Sequence, residues 1–366
     1  MSCDCSPEIF PQLCDLDLPS AWEQAAQQFL ATAGLTLVLG GTDSGKSTLC
    51  RYLVYRAYVA GRRVALIDCD LGQSLLGPPA TLGLGLYPPR HPGGDGLFPE
   101  AIYFIGQTSP AGQVLEVVVG TRWLADQARD QKVSHLVVNT SGYIQGPAAQ
   151  RLKWAQIELL GPKLILALTK SQELEPILIP LARRQAPVLR LPLSHRAEAK
   201  SFEYRRQYRE ERFRRYFRGA GRLVFSVNRL AWLGLPLGRG KPMIMEERLN
   251  LSDYLESPVL YGETSPSGAV LILSDFPEEF DRSALAQRLA VPNFCWLAAS
   301  HLNMRLVGLL DQNLTVQALG LILPSPWERS EVAIWTPLPA ERQEQIRVCR
   351  VGKLRLSLRG QELNRV

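Results

Sequence analysis

Long hydrophobic runs are missing from this chain of 366 residues. None reaches the ~18–20 apolar residues of a spanning helix, so neither an integral membrane protein nor a membrane partner is expected. The start, Met1-Ser2-Cys3-Asp4-Cys5, lacks a basic n-region and an apolar h-region. It therefore argues against secretion and for a cytoplasmic location. Cysteine is sparse: seven residues, an odd number, spread along the chain. Cys50, Cys69, Cys295 and Cys349 sit in apolar surroundings, where a free thiol acts as a small hydrophobe. Cys3, Cys5 and Cys14 cluster, but no fourth ligand lies at zinc-like spacing. A disulfide scaffold is excluded, and reduced thiols are expected. Internal repeats and low-complexity tails are also absent. What is present is ordinary globular composition, 46% hydrophobic and 21% charged, enough to bury a sizeable core and centred by length on two domains.

From Gly34 apolar strands alternate with amphipathic helices, the sign of a parallel sheet with crossover helices. Strands are expected at 35–39, 64–68, 102–105, 135–139, 164–168 and 188–191. Helices are expected at 21–30, 46–60, 114–131, 147–160 and within 171–184. The Pro/Gly stretch from Tyr87 to Gly94 reads as a surface loop. A basic segment lacking Gly and Pro, from about 196 to 218, reads as a helix. It carries nine basic residues against four acidic ones, hence almost all of the net +6, so a polyanion should be met there. After Gly219-Ala220-Gly221 short β-rich segments with frequent turns follow, with strands expected at 270–273, 304–310, 314–323, 332–336 and 351–358.

The strongest local signal is Gly40-Gly41-Thr42-Asp43-Ser44-Gly45-Lys46-Ser47-Thr48, a G-x-x-x-x-G-K-[ST] phosphate loop of the Walker A kind. It follows an apolar strand and opens a helix, where backbone N–H groups and the helix N-terminus converge on phosphate oxygens. Lys46 is expected to reach the β- and γ-phosphates, and the Ser47 hydroxyl to ligate Mg²⁺. The motif predicts nucleoside triphosphate binding. The fold class is α/β: a P-loop NTPase parallel sheet flanked by helices, with a smaller β-rich C-terminal domain. The expected division is a short N-terminal lead-in over 1–33, a P-loop domain over 34–220 that includes the helix at 196–218, and a β-rich domain over 221–366.

The next buried strand ends in Asp68-Cys69-Asp70-Leu71-Gly72-Gln73. Parallel strands present their C-terminal ends to the ligand crevice, so both carboxylates should face the phosphate loop. One could hold the Mg²⁺ shell and the other take a proton, or either could merely cap a turn. The strand His135–Asn139 runs into Thr140-Ser141-Gly142-Tyr143, where Tyr143 either stacks on a nucleobase or packs. In the basic helix Arg205, Arg209 and Arg212 share a narrow arc, suited to charge on a transferring phosphoryl group; a solvated face is the alternative.

These pieces resemble the polynucleotide 5′-hydroxyl kinase family, which includes a pre-mRNA cleavage-complex subunit, a ribosomal-RNA processing kinase and archaeal RNA kinases. The phosphate loop with its internal Asp43 resembles the family's version, and Asp70-Leu71-Gly72-Gln73 its D-x-G-Q element. Thr140-Ser141-Gly142-Tyr143 is similar to its T-x-G-W clasp, with Tyr143 replacing the usual Trp. Arg205-Arg206-Gln207-Tyr208-Arg209 fits its R-x-x-x-R lid. The match is good over about 35–220 and looser beyond.

The resemblance implies transfer of the γ-phosphate of ATP, or GTP, to the 5′-hydroxyl of single-stranded RNA or DNA, with Mg²⁺. It implies Gly40 to Thr48 around the triphosphate, Ser47 and Asp70 at the metal, and Asp70 activating the hydroxyl with Asp68 helping around the metal. Thr140, Gly142 and Tyr143 would hold the nucleotide or terminal base. Arg205 and Arg209 would close over the phosphates, with Gln73 as a further substrate contact. RNA-processing protein partners are expected. The alternatives are a non-catalytic ATP-binding subunit of such an assembly and a small-molecule kinase.

Overall fold

The computed structural model describes residues 17–88, 99–183, 187–277 and 281–363. The chain divides into two compact units, Met1–Arg212 and Phe213–Val366. Cys3, Cys5 and Cys14 lie outside the described residues, as does most of the expected loop from Tyr87 to Gly94.

The first unit runs α1 (Ser20–Ala31), β1 (Gly34–Gly40), α2 (Lys46–Val59), β2 (Val64–Asp68), β3 (Thr81–Tyr87), β4 (Ala101–Phe104), α3 (Val114–Asp130), β5 (His135–Asn139), α4 (Pro147–Leu160), β6 (Leu164–Leu168), α5 (Glu175–Leu178), β7 (Val188–Leu191) and α6 (Phe202–Tyr216). The unit boundary falls inside α6, not after the Gly-rich turn at 219–221. Seven strands form one sheet in the order β4-β3-β2-β5-β1-β6-β7. Five of them, β2, β5, β1, β6 and β7, are mutually parallel. The sheet is not parallel throughout, because β3 pairs antiparallel to β2 and β4 antiparallel to β3. The strand β3 escapes a sequence reading because two glycines interrupt it. A Cβ on Gly83 would stand 2.3 Å from the Leu76 carbonyl oxygen, so glycine lets the chain leaving β2 cross over this strand.

Both faces of the sheet are covered, and the side-chain alternation of β1 divides its residues between them. Leu37 and Leu39 pack with Leu124 of α3 and Leu152 of α4. Val38 packs with Leu49 and Leu53 of α2 and with α1. The expected lead-in thus contributes to the core. Trp22, Ala25, Ala26 and Phe29 recur at helical spacing along α1 and are fully buried. A side chain the size of Phe29 contributes about 1.5–3 kcal/mol on burial. Trp22 also donates from its indole nitrogen to the Pro192 carbonyl at 2.9 Å.

In the second unit β8 (Gly221–Ser226), β9 (Ala231–Leu233), β10 (Lys241–Pro242), α7 (Met245–Leu255), β11 (Val259–Ser265), β12 (Gly268–Leu273), α8 (Arg282–Arg288), β13 (Phe294–Ala298), α9 (Ala299–Leu302), β14 (Arg305–Leu310), β15 (Val316–Ile322), β16 (Glu331–Thr336) and β17 (Val348–Arg355) follow in order. They form a six-stranded sheet, β8-β16-β15-β14-β17-β9, and a four-stranded one, β10-β11-β12-β13. Tyr261 and Ile272 of the smaller sheet share a core with Val307, Leu309 and Ile334 of the larger. The expected strand at 314–323 begins later, because Leu314 has φ +60° in a turn organised by the Asp311 carboxylate. Phe213 and Tyr216 are buried, and the Tyr216 hydroxyl accepts from the Leu319 amide at 2.9 Å. Cys50, Cys69 and Cys349 are buried free thiols, whereas Cys295 is exposed, contrary to its apolar neighbours in sequence. On a strand successive side chains alternate between faces, so apolar neighbours do not bury the residue between them.

Candidate active site

The phosphate loop joins β1 to α2, and its shape depends on residues that leave room. A Cβ on Gly40 would stand 2.4 Å from Ser44 Oγ and 3.1 Å from the Leu168 carbonyl. Gly45 caps α2 with φ +87°, in the left-handed region, with the Trp22 ring behind it 3.5 Å from where a Cβ would be. Asp43 takes φ +56°. Lys46 is 5% exposed, and its ammonium curls back onto the Gly41 carbonyl and Ser44 Oγ. Burial pulls its pKa below the ordinary lysine value, while Asp70, Cys50, Asp43 and Asp68 pull the other way.

The sheet register sets the next layer. Asn139 of β5 lies opposite Val38 of β1 and Asp68 of β2, so one side chain stands between the phosphate loop and the carboxylates. Its Nδ2 donates to Asp68 Oδ1 at 2.9 Å and to Ser47 Oγ at 3.3 Å. Asp68 is fully buried and also accepts from Asp70 N, Leu75 N, Leu76 N and Ser74 Oγ. Burial, with help from the Asp70 charge, still pushes its pKa up to about 6. Asp70 is half-buried; its Oδ1 accepts from Gly72 N at 3.0 Å and Gln73 N at 2.9 Å, a local turn that leaves the carboxylate at the surface of the site.

The loop after β5 packs against the phosphate loop. A Cβ on Gly142 would meet the Thr42 backbone nitrogen at 2.7 Å, and Thr42 Oγ1 donates to the Gly142 carbonyl at 3.5 Å. Thr140 does not face the crevice: it is buried, its hydroxyl donating to the Val38 carbonyl at 2.8 Å. Tyr143 is half-buried and packed on the apolar core. Behind this loop Lys153 of α4 is fully buried, donating to Ser141 O at 2.7 Å and Ser141 Oγ at 3.1 Å. Burial, then repulsion from Lys46, draws its pKa down to about 7.

That depression predicts a pH effect. Between pH 7 and 10.5 the unfolded chain holds a proton on Lys153 that the folded chain has largely released, so stability falls as pH drops through this window. Lys153→Met is expected to remove about 2 kcal/mol of the stability gained between pH 7.5 and 9.5, read by thermal denaturation at both pH values. Equal slopes in the two proteins would contradict this.

The basic helix lies along the loop that follows β2. The Lys200 amide donates to Asp43 Oδ2 at 2.9 Å and the Lys200 ammonium to Gln73 Oε1 at 2.9 Å. Arg205 pairs with the same Asp43 carboxylate, which also accepts from Gln73 Nε2 at 3.4 Å. One turn on, the Tyr208 hydroxyl donates to the Ser74 carbonyl at 2.9 Å, and Arg212 donates to the Gly77 carbonyl at 2.8 Å. Burial works to raise the pKa of Asp43, but the Lys200 amide, Arg205 and Gln73 hold it below the usual carboxylate range. Arg205 Nε is buried without a partner among the described residues, and Arg209 is 8% exposed.

Lys46, Ser47, Asp68, Asp70, Gln73, Gly142 and Arg205 are thus linked to the phosphate loop or to its immediate partners, while Thr140 supports the loop from behind. Sequence reading missed Asn139 and Lys153 and did not single out Lys200. Asn139 ends a fully buried strand with an apolar middle, and Lys153 occupies the buried face of α4 with Leu152, Ile157 and Leu160; each was a legible irregularity.

The donor set suits Mg²⁺. No group of three or more His, Cys, Asp or Glu among the described residues could cage a metal. The pieces are instead a hydroxyl, Ser47, joined through Asn139 to a carboxylate, Asp68, with Asn139 Oδ1 buried and unpartnered. A cation that keeps waters and substrate phosphates as ligands asks for no more.

The chain is similar to known proteins. The family model for the P-loop of the mRNA cleavage and polyadenylation factor CLP1 matches residues 40–219. A polyribonucleotide 5′-hydroxyl-kinase of Methanocaldococcus jannaschii is 30% identical over 330 residues, 89% of this chain and 88% of that one. One from Pyrococcus furiosus is 30% identical over 349 residues, 95% of each chain. The polyribonucleotide 5′-hydroxyl-kinase Clp1 of Xenopus laevis is 31% identical over 217 residues, 55% of this chain and 49% of its own length. Clp1p in its solved complex with Pcf11p has the same fold, with a TM-score of 0.57 at 13% identity over 91% of this chain and 78% of that one.

Proposed function

This chain belongs to the polyribonucleotide 5′-hydroxyl-kinase family, and on that premise we propose that it transfers the γ-phosphate of ATP to the 5′-hydroxyl end of single-stranded RNA. The observation that carries the reading is Asp43, a phosphate-loop carboxylate that binds Arg205 and the Lys200 amide, and Gln73 beside the carboxylate pair. A subunit that merely held nucleotide would have no use for an arginine tethered to its phosphate loop. A small-molecule kinase would not need the basic surface that continues beyond them. GTP is an alternative donor with the same triphosphate, and 5′-hydroxyl DNA an alternative acceptor.

Backbone amides of Gly40 to Thr48 cradle the triphosphate, and Lys46 leaves the Gly41 carbonyl to neutralise the charge that develops in transfer. Ser47, with Asn139 and Asp68 behind it, would hold Mg²⁺, which would supply charge neutralisation to the phosphates. Asp68 is committed to five donors, so Asp70, with both its bonds on one oxygen, is the group assigned to take the hydroxyl proton. Thr140 fixes the β5 loop, and Gly142 and Tyr143 line the acceptor nucleotide. Arg205 and Arg209 lie over the transferring phosphoryl group once Arg205 exchanges Asp43 for phosphate. RNA-processing proteins are the expected partners, following the Pcf11p complex of the Clp1p neighbour.

The test is end-labelling with γ-labelled ATP and Mg²⁺, using matched RNA and DNA strands with 5′-hydroxyl or 5′-phosphate ends. Label is expected on 5′-hydroxyl RNA and on neither phosphorylated strand. Tight ATP binding with no labelled acceptor would hand the argument to the non-catalytic subunit.

A further inference from the structure

The lid uses only the first part of the basic segment; the rest of its charge lies in the second unit. There, Arg214, Phe217 and Arg218 form one wall of a cleft of about 540 Å³, and Leu358, Arg359 and Gln361 form the other. Three guanidinium groups line it and no carboxylate does. The second wall is a built turn rather than a loose end. Ser357 N donates to Gln361 O at 2.8 Å and Gly360 N to Ser357 O at 2.9 Å, while Ser357 Oγ accepts from Gln361 N at 3.1 Å. Gly360 takes φ +81°, and Leu363 N returns to Arg355 O at 2.9 Å. This hairpin holds Arg359 and Leu358 at its tip, the latter 44% exposed. Arg214 and Arg218 stand four residues apart, about one helical turn, on the facing wall.

We infer that this cleft is a second RNA-binding site, which takes phosphodiesters of the acceptor strand away from the reacting 5′ end. The ligand class follows from the lining. Cations spread along both walls match a chain of phosphates better than a single anion, which needs donors converging on one point. The apolar strip of Phe217 and Leu358 offers contact to a sugar or base face, and guanidinium planes stack on unpaired bases. That the strand is RNA rests on the kinase reading above.

The experiment uses the full chain, 5′-hydroxyl RNA acceptors of 3 and about 20 nucleotides, and the double variant Arg218→Ala/Arg359→Ala. For the wild type the longer acceptor is expected to show a KM at least about tenfold lower. The double variant is expected to raise that KM about tenfold while leaving kcat and the 3-nucleotide reaction unchanged, which also shows that it folds. In fluorescence anisotropy its log–log salt slope for the longer strand should fall by about 1.4, two single-strand phosphate contacts at ~0.7 each. Arg218→Lys/Arg359→Lys should retain most of the wild-type slope. Equal KM for both lengths in the wild type, or an unchanged salt slope in the double variant, overturns the cleft. If no acceptor is labelled but the slope still falls, the kinase reading fails and the cleft stands as a polynucleotide site.

Discussion

Lys46→Ala is expected to lower kcat for 5′ phosphorylation by about 10³-fold or more, measured by single-turnover end-labelling at saturating nucleotide. Three features set the size of the loss. Lys46 is 5% exposed, so no water can replace its ammonium cheaply. It stands among Asp43, Asp68 and Asp70, whose charges it offsets. It sits at the start of α2, where the loop amides are already aimed at phosphate. Removing it leaves migrating negative charge facing three carboxylates. The fold should survive, because among the described residues the ammonium bonds groups of its own loop alone, the Gly41 carbonyl and Ser44 Oγ. A variant with a wild-type melting temperature and undiminished kcat would refute the assignment.

Asp70→Asn is expected to lower kcat by about 10²–10⁴-fold with the melting temperature unchanged. An amide oxygen at this position still accepts from Gly72 N and Gln73 N, so the turn persists while the proton acceptor is lost. Asp68→Asn should behave differently. Asp68 Oδ2 faces the amides of Leu75 and Leu76 and Oδ1 faces Asn139 Nδ2, so an amide nitrogen must point at a donor on either side. That mismatch costs about 1–3 kcal/mol of stability and lowers the melting temperature as well as activity. If Asp70→Asn destabilises and Asp68→Asn does not, the two roles are reversed.

Much of this was legible beforehand because the signals are local. A phosphate loop needs glycines at fixed offsets after a strand, so Gly40 to Thr48 and β1 were readable together. The strands β2, β5 and β6 are short buried runs whose ends were marked by polar residues, and the arginine spacing of α6 was countable. The antiparallel pair β3–β4 was less legible, since Gly83 and Gly85 break the apolar pattern for a reason that lies in another segment, Leu76. Thr140 read as a nucleotide contact from its place in the clasp-like Thr140-Ser141-Gly142-Tyr143, whereas its hydroxyl donates to the Val38 carbonyl of the neighbouring strand. Lys153 drew no notice in the sequence, because a lysine is ordinarily solvent-facing, and only the packing of α4 against the β5 loop gives it a buried place.

By itself the sequence determined the nucleotide site, the order of the motifs and the concentration of positive charge, because each depends on residue type and spacing along the chain. Tertiary structure alone decided which carboxylate is buried and which is presented, that Asn139 joins Ser47 to Asp68, and that Asp43 is what Arg205 holds. Those distinctions come from the sheet register and from contacts between residues as far as 162 positions apart, where burial and hydrogen bonding, not residue type, fix what a charge can do.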